Sequence, residues 1–287
     1  MGFTSRRSLG DLLSTSRDRG LEIKTREQID LMRVAGRLVG DTLDLLRAAT
    51  RPGVTTLELD TLAETNIRDH GGIPSFKGYS HPPFPATICA SVNDEVVHGI
   101  PGSRTLVDGD VISIDCGAIV VGWHGDAAIT VPVGEVADDT AALLRVTEES
   151  LWRGMAAARL GGRVTDISHA IETYVRSQGC YGILEDYTGH GIGTEMHMAP
   201  NVPNYGRRGR GPAIVEGLAL AVEPMVTLGS KDTDLLEDEW TVATADGSTA
   251  AHFEHTFTVT PEGSWVLTAV DGGEARLAEL GVPFGGR

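Results

Sequence analysis

Several things are scarce in this chain of 287 residues. It holds three cysteines, Cys89, Cys116 and Cys180, with no metal-type spacing among them. An odd number, with no apolar leader ahead of it, argues against a disulfide scaffold and fits the reducing cytoplasm. Positive charge is also short: 24 Lys and Arg face 40 Asp and Glu, a formal charge of −16. That balance excludes a general nucleic-acid binder, which would carry a basic footprint. No window approaches the roughly 18 consecutive apolar residues of a membrane span. Arg6 and Arg7 are not followed by the apolar core of a signal peptide. No low-complexity tract stands out.

What is there is an ordinary globular composition, 41% hydrophobic and 22% charged. The length suits one large domain or two small ones. Residues 1–20 carry Arg6, Arg7, Arg17 and Arg19 against two aspartates. They read as a flexible N-terminal extension. A docking arm for an acidic surface such as ribosomal RNA is the sharper alternative.

A first helix is signalled by a Thr25/Gln28 capping box and by Ile29, Met32, Ala35, Val39, Leu43 and Leu46 at helical spacing. Helices are also expected from Thr55 to Gly71, over 139–160 and over 165–178. A shift of 108 residues superposes the two halves. Gly53 falls on Gly161, Leu59 on Ile167, Glu64 on Glu172 and Gly71 on Gly179. "VDGDVISID" (107–115) falls on "VEGLALAVE" (215–223), so Asp115 meets Glu223. The expected fold is α+β: two pseudo-symmetric α/β halves sharing one sheet, with their acids facing across a pseudo-two-fold.

Four acids sit in apolar strands: Asp115 and Asp126 in "IDCGAIVVGWHGDAAI", Glu223 in "LALAVE", and Glu254 in "HFEHTFTV". With a turn at Val120-Val121, residue 115 would stand opposite 126. Strand alternation puts Ile112, Ile114, Cys116 and Ala118 on the face away from Asp115. It likewise turns Phe253, Phe257 and Val259 away from Glu254. Acids on such a face can be solvated, can share protons, or can bind a cation. Four of them in apolar strands favour the cation. Two divalent ions would neutralise four carboxylates, and mostly oxygen donors suit hard-to-borderline ions rather than a structural tetrahedral zinc. Paired metal ions activate water, so hydrolysis is the reaction class. "GHGIGTEMHMAP" (189–200) adds His190 and His197, and "VNDEVVHGIP" (92–101) adds His98. His124 and His252 stand two residues from Asp126 and Glu254 and are read as supporting groups. His255 points to the opposite face.

The motifs "SVNDEVVHGIP", "SIDCG…HGDAA", "GHGIG…H…P", "AVEPM" and "HFEHTFTVT", in this order, resemble the type I methionine aminopeptidases with the pita-bread fold. The resemblance runs from about Ile23 to Thr268. It implies a curved antiparallel sheet and a catalytic metallopeptidase domain at 21–270, with a C-terminal tail at 271–287. It implies two divalent ions, with cobalt, manganese, iron(II) and zinc all suitable. Asp115, Asp126, His190, Glu223 and Glu254 would be their ligands, Asp126 and Glu254 bridging. His98 and His197 would contact substrate and stabilise the oxyanion, and Glu223 would shuttle a proton. Phe84, Cys89, Met196 and Trp240 would form the methionine pocket, with Phe76 or Tyr79 nearby. The implied activity removes N-terminal methionine when the second residue is small, by attack of a metal-activated hydroxide on the first peptide bond. The implied partners are nascent polypeptide N-termini and the ribosome, for a cytoplasmic monomer without membrane or specific nucleic-acid partners. Three features depart from the family. Met196 replaces a common aromatic, His252 stands where Gln is usual, and the segment 75–85 is longer than in many relatives. The rival readings are an X-Pro peptidase of the same fold and a non-catalytic peptide-binding module.

Overall fold

The computed structural model describes residues 20–286. Helix α1 (Arg26–Ala49) starts where Thr25 and Gln28 cap each other. The Thr25 hydroxyl accepts from the Gln28 N–H, and the Gln28 side chain accepts from the Thr25 N–H at 2.8 Å. Helix α2 (Thr56–Asp69) starts on the same device, built from Thr55 and Glu58. Strands β1 (Ile73–Pro74), β2 (Ile88–Val92), β3 (Glu95–Val97), β4 (Val111–Val120) and β5 (Trp123–Pro132) complete the first half. The second half opens with α3 (Asp138–Ala157) and α4 (Val164–Gln178). Strands β6 (Gly182–Ile183), β7 (Gly189–Gly191), β8 (Met198–Val202), β9 (Ala219–Val222) and β10 (Met225–Thr227) follow. Then come β11 (Thr233–Leu235), β12 (Val242–Thr244), β13 (Ala250–His252), β14 (Glu254–Val259), β15 (Ser264–Val266) and a short α5 (Glu274–Glu279).

The 108-residue repeat is a structural repeat. Ala49 ends α1 and Ala157 ends α3; Thr56 opens α2 and Val164 opens α4; Val111 opens β4 and Ala219 opens β9. Even the isolated bridges correspond, Thr55 with Thr105 and Arg163 with Ala213. The main sheet runs β1-β4-β5-β14-β9-β7-β8, with β2 on β4 and β15 on β14, and every pairing is antiparallel. The two halves therefore meet at the β5–β14 seam. Helices cover one face. Gly125 of β5 lies so close under α1 that a Cβ there would come within 2.7 Å of the Gly36 amide nitrogen. That contact fixes the helical layer on the face of Trp123, Gly125 and Ala127, and leaves the face of Asp126 for the site.

The β4–β5 hairpin differs from expectation by two residues. Val120 pairs with Trp123, so the turn is Val121-Gly122, and Asp115 stands opposite Ala128 rather than Asp126. Both turn residues have positive φ, 51° and 81°. This pattern matches the right-handed twist of the strands. A slip of two keeps side chains on the same face, so Asp115 and Asp126 remain diagonal neighbours on one surface. Residues 271–286, set apart as a tail, pack onto the second half: Leu277 is fully buried and Phe284 bridges to Ser264. The arginine-rich arm lies outside the described residues.

Candidate metal centre

Two adjacent rows across the sheet carry the site. In the first, Asp115 stands opposite Ala128, and Ala128 opposite Glu254. Glu223 follows Val222, whose partner is His255, so continuing the register sets Glu223 beside Glu254. In the second row Gly117 stands opposite Asp126, and Ala221 opposite His190. Small residues thus alternate with the functional ones, and leave room above the strands for long side chains.

The five groups converge. Donor atoms of Asp126, His190 and Glu254 all lie within 4.8 Å of one another, a spacing one cation could bridge. His190 Nε2 is 3.5 Å from Glu223 Oε1 and 4.0 Å from Asp126 Oδ2. The Asp115 and Asp126 carboxyls lie close enough that a proton on one would be shared with the other. The backbone is held from outside the cluster. Thr256 Oγ1 donates to the Asp126 carbonyl at 2.8 Å, and Asn204 Nδ2 donates to the Glu223 carbonyl at 3.0 Å. His190 Nδ1 lies 3.0 Å from the Gly191 carbonyl. A carbonyl can only accept, so Nδ1 carries the proton and the neutral ring turns a lone pair on Nε2 toward the acids.

Burial dominates the electrostatics. It pushes the Asp115 carboxyl up to about 7, and those of Asp126, Glu223 and Glu254 well above the usual range, with neighbouring carboxylates adding to the push on the last three. Burial also lowers His190 and His252 to about 3, and His98 and His124 to about 4, so these rings are neutral at pH 7. Asp115 Oδ1, Asp126 Oδ1 and Glu254 Oε1 are buried and accept no hydrogen bond. Unpaired carboxylate oxygens beside neutral imidazole nitrogens are the donor set a divalent cation satisfies.

A cavity of about 300 Å³ opens over the acids. Its apolar end is the cluster of Phe76, Phe84, Ala86, Cys89 and Met196, with Trp240 and Ile100 against it. The Trp240 ring meets Phe84 edge-on at 5.1 Å. His98 sits edge-on to Tyr187 at 5.8 Å and to Trp240 at 6.1 Å. Its φ of 60° is uncommon outside glycine, and turns the backbone sharply where β3 ends. The His197 ring is 4.4 Å from that of His190. Every site residue expected from sequence lines this one cavity. His124 turns aside to Ser75 Oγ, 3.0 Å away. His255 lies on the helical face, bonded to Thr268 Oγ1 and stacked on Trp152.

Sequence reasoning missed the groups that hold the loop between the two histidines. Lys24 Nζ donates to the Ile192 carbonyl at 2.5 Å, and the Glu22 carboxylate accepts from the Thr194 amide and hydroxyl. Such contacts join residues about 170 positions apart and leave no local pattern.

Comparison with known proteins agrees with this geometry. Residues 30–261 match the model of metallopeptidase family M24. A methionine aminopeptidase of Clostridium acetobutylicum is 53% identical over 247 residues, 86% of this chain and 98% of the relative. Methionine aminopeptidase 1 of Mycobacterium tuberculosis is 52% identical, covering 84% of this chain and 92% of the relative. The crystal structure of the Thermotoga maritima methionine aminopeptidase superposes with a TM-score of 0.84 at 40% identity, over 87% of this chain and 99% of that one. The Pyrococcus furiosus prolidase, at 20% identity and a TM-score of 0.69, shares the pita-bread fold across 91% of this chain and 68% of its own. The chain belongs to metallopeptidase family M24, a family of metal-dependent hydrolases, and stands among its methionine aminopeptidases.

Proposed function

We propose that this chain removes the N-terminal methionine of polypeptides whose second residue is small. The observation that carries the reading is the junction of two surfaces in one cavity. A cluster of four carboxylates and an imidazole adjoins an apolar cup of side-chain size. Asp115, Asp126, His190, Glu223 and Glu254 would hold two divalent cations, and cobalt, manganese, iron(II) and zinc all suit the set. When bound, such ions act as Lewis acids and make water a stronger nucleophile at neutral pH.

The protein's own residues do the rest. Phe84, Cys89, Met196 and Trp240 enclose an unbranched apolar side chain and exclude water from the adjoining bond. Each methylene matched or missed there is worth about 1–3 kcal/mol in discrimination. A substrate whose side chain fills the cup has its free α-amine at the acid cluster, where the cations would be held, so the bond presented is the first one. His98 and His197, both neutral, offer ring N–H groups to the carbonyl oxygen as charge develops on it. Glu223 lies at the cluster within the cavity and would pass a proton to the departing amine. Residues 21–270 make up the working domain. Its substrates in the cell are nascent N-termini, met by a monomer in the cytoplasm, with the ribosome as the docking partner. Among the described residues no helix is long and apolar enough to cross a membrane.

Three peptides test the reading. Met should be released from Met-Ala-Ser and not from Met-Lys-Ser, and Ala-Pro-Ser should stay intact. Release of Ala from the last peptide alone would reassign the chain to X-Pro chemistry. Binding of all three without turnover, in the presence of each metal, would leave a peptide-binding module.

A further inference from the structure

Residues 22–25 run against the loop that joins His190 to His197, and two glycines make room for them. A Cβ at Gly193 would come within 2.0 Å of Glu22 Oε1, and one at Gly217 within 2.1 Å of the Lys24 carbonyl oxygen. The Lys24 N–H donates to the Gly217 carbonyl at 2.9 Å, which pins the segment to the turn before β9. The Lys24 side chain is 1% exposed, and its ammonium faces three oxygens. These are the Ile192 carbonyl at 2.5 Å, the Glu22 carbonyl at 3.1 Å and Glu22 Oε1 at 3.3 Å. The Glu22 carboxylate in turn accepts from the Thr194 amide at 3.2 Å and from the Thr194 hydroxyl. An ammonium and a carboxylate thus grip the same short stretch of loop.

Ile192 is where β7 runs out. Its N–H still follows the ladder, donating to the Ala219 carbonyl at 3.2 Å, while its own carbonyl turns to Lys24. Further along the loop, Met196 is buried in the apolar cup, and His197 follows with its ring 4.4 Å from that of His190. The position of both side chains therefore depends on how the loop leaves the sheet. Charge-assisted hydrogen bonds are roughly twice as strong as neutral ones, and a buried ammonium stripped of its acceptors is costly, so the contacts hold one geometry. We propose that Lys24 and Glu22 are positioning residues, a latch on the 192–197 loop that sets the Met196 wall of the cup and the His197 ring together. Neither lines the cavity, so both act through the loop rather than on the substrate. This rests on the functional reading given above.

The test uses the full chain with cobalt chloride and two peptides, Met-Ala-Ser and Leu-Ala-Ser. Lys24→Met keeps an unbranched stem and removes the charge. We expect kcat/KM on Met-Ala-Ser to fall about tenfold or more, as small misplacements of acting groups do. The preference for Met over Leu should fall about fivefold or more, because the wall that reads side-chain shape has shifted. A merely structural contact would lower the melting temperature and leave that preference where it was, and this result overturns the proposal. Hydrogen exchange of residues 192–197 should quicken in the variant, and protection equal to wild type would overturn the proposal as well. Thr194→Val, at an exposed position, removes one Glu22 contact and strands no buried charge. It should lower the preference in the same direction by about twofold or more. Should Lys24→Met fail to fold, Thr194→Val decides alone, and an unchanged preference there sinks the latch. A wild type that releases no Met from Met-Ala-Ser would instead remove the functional reading on which the latch depends.

Discussion

The Tyr79 hydroxyl lies 2.7 Å from His197 Nδ1, with the two rings tilted 54° and 5.2 Å apart. Tyr79 comes from the loop between β1 and β2, and His197 from the end of the loop that follows β7, the strand of His190. One hydrogen bond therefore ties the loop of Tyr79 to the ring we propose for the substrate carbonyl. It also fixes which His197 nitrogen faces the cavity, since the one bonded to Tyr79 is occupied.

Tyr79→Phe removes that bond and keeps the ring. A neutral hydrogen bond contributes about 1 kcal/mol net, or roughly a fivefold effect on rate. We expect kcat on Met-Ala-Ser to fall by about that factor with KM nearly unchanged, because the bond orients a group that acts on developing charge. A rise in KM at constant kcat would place Tyr79 in substrate binding instead.

Asp126→Asn should abolish turnover while leaving the fold in place. Asp126 lies beside Asp115, and its Oδ2 is 4.0 Å from His190 Nε2. Its backbone bonds to Thr256 do not involve the carboxylate, so the strand pairing survives. Circular dichroism should be unchanged, and metal content by elemental analysis should drop. Activity near that of wild type would remove Asp126 from the site.

Chelation should make stability depend on pH in a defined direction. Asp115 is pushed up to about 7 from 3.8, and its three neighbours are also raised. An acid with a raised folded value contributes stability that is complete below its unfolded value and is lost as pH rises through the folded one. In EDTA the melting temperature should therefore fall as pH rises from about 4 through about 7. Excess manganese or cobalt should suppress that fall, because a bound cation replaces the protons and stabilises the folded state by mass action. A flat profile in EDTA would show that the acids are not crowded as described.

Gly125→Ala tests the layer behind the site. An added Cβ would approach the Gly36 backbone at 2.7–2.8 Å, and backbone cannot turn aside as a side chain can. We expect a loss of about 1–3 kcal/mol in urea unfolding, typical of overpacking. Catalytic constants at low temperature should stay near wild type, since Gly125 faces away from the acids.

Much of the centre was legible because strand periodicity is robust. The hairpin register was misread by two residues, yet Asp115 and Asp126 kept their shared face, since parity survives an even slip. The error came from the turn itself: Val121 adopts a φ of 51°, a conformation β-branched residues rarely take, so no Asn or Asp marked it. Helix starts were legible because capping boxes are local, as at Thr25 and Thr55. The supports were not. Tyr79 on His197, Lys24 on Ile192 and Asn204 on Glu223 join distant segments through side chains whose types are common everywhere. His252 fell between. Alternation placed it near Glu254, but Phe253 interrupts the strand, and only coordinates show the ring turned to Glu223.

The β5–β14 seam has a last consequence. Asp115 and Asp126 belong to the polypeptide before residue 133, and His190, Glu223 and Glu254 to that after residue 137. A chain severed in this connector would yield two fragments, each with an incomplete donor set and an open strand edge where its counterpart belongs. Recombined, they would regain a cation only as fast as they find each other, so metal uptake would become second order in fragment concentration. In the intact protein the covalent link makes that encounter intramolecular, and a cation held across the seam would clasp the two halves together.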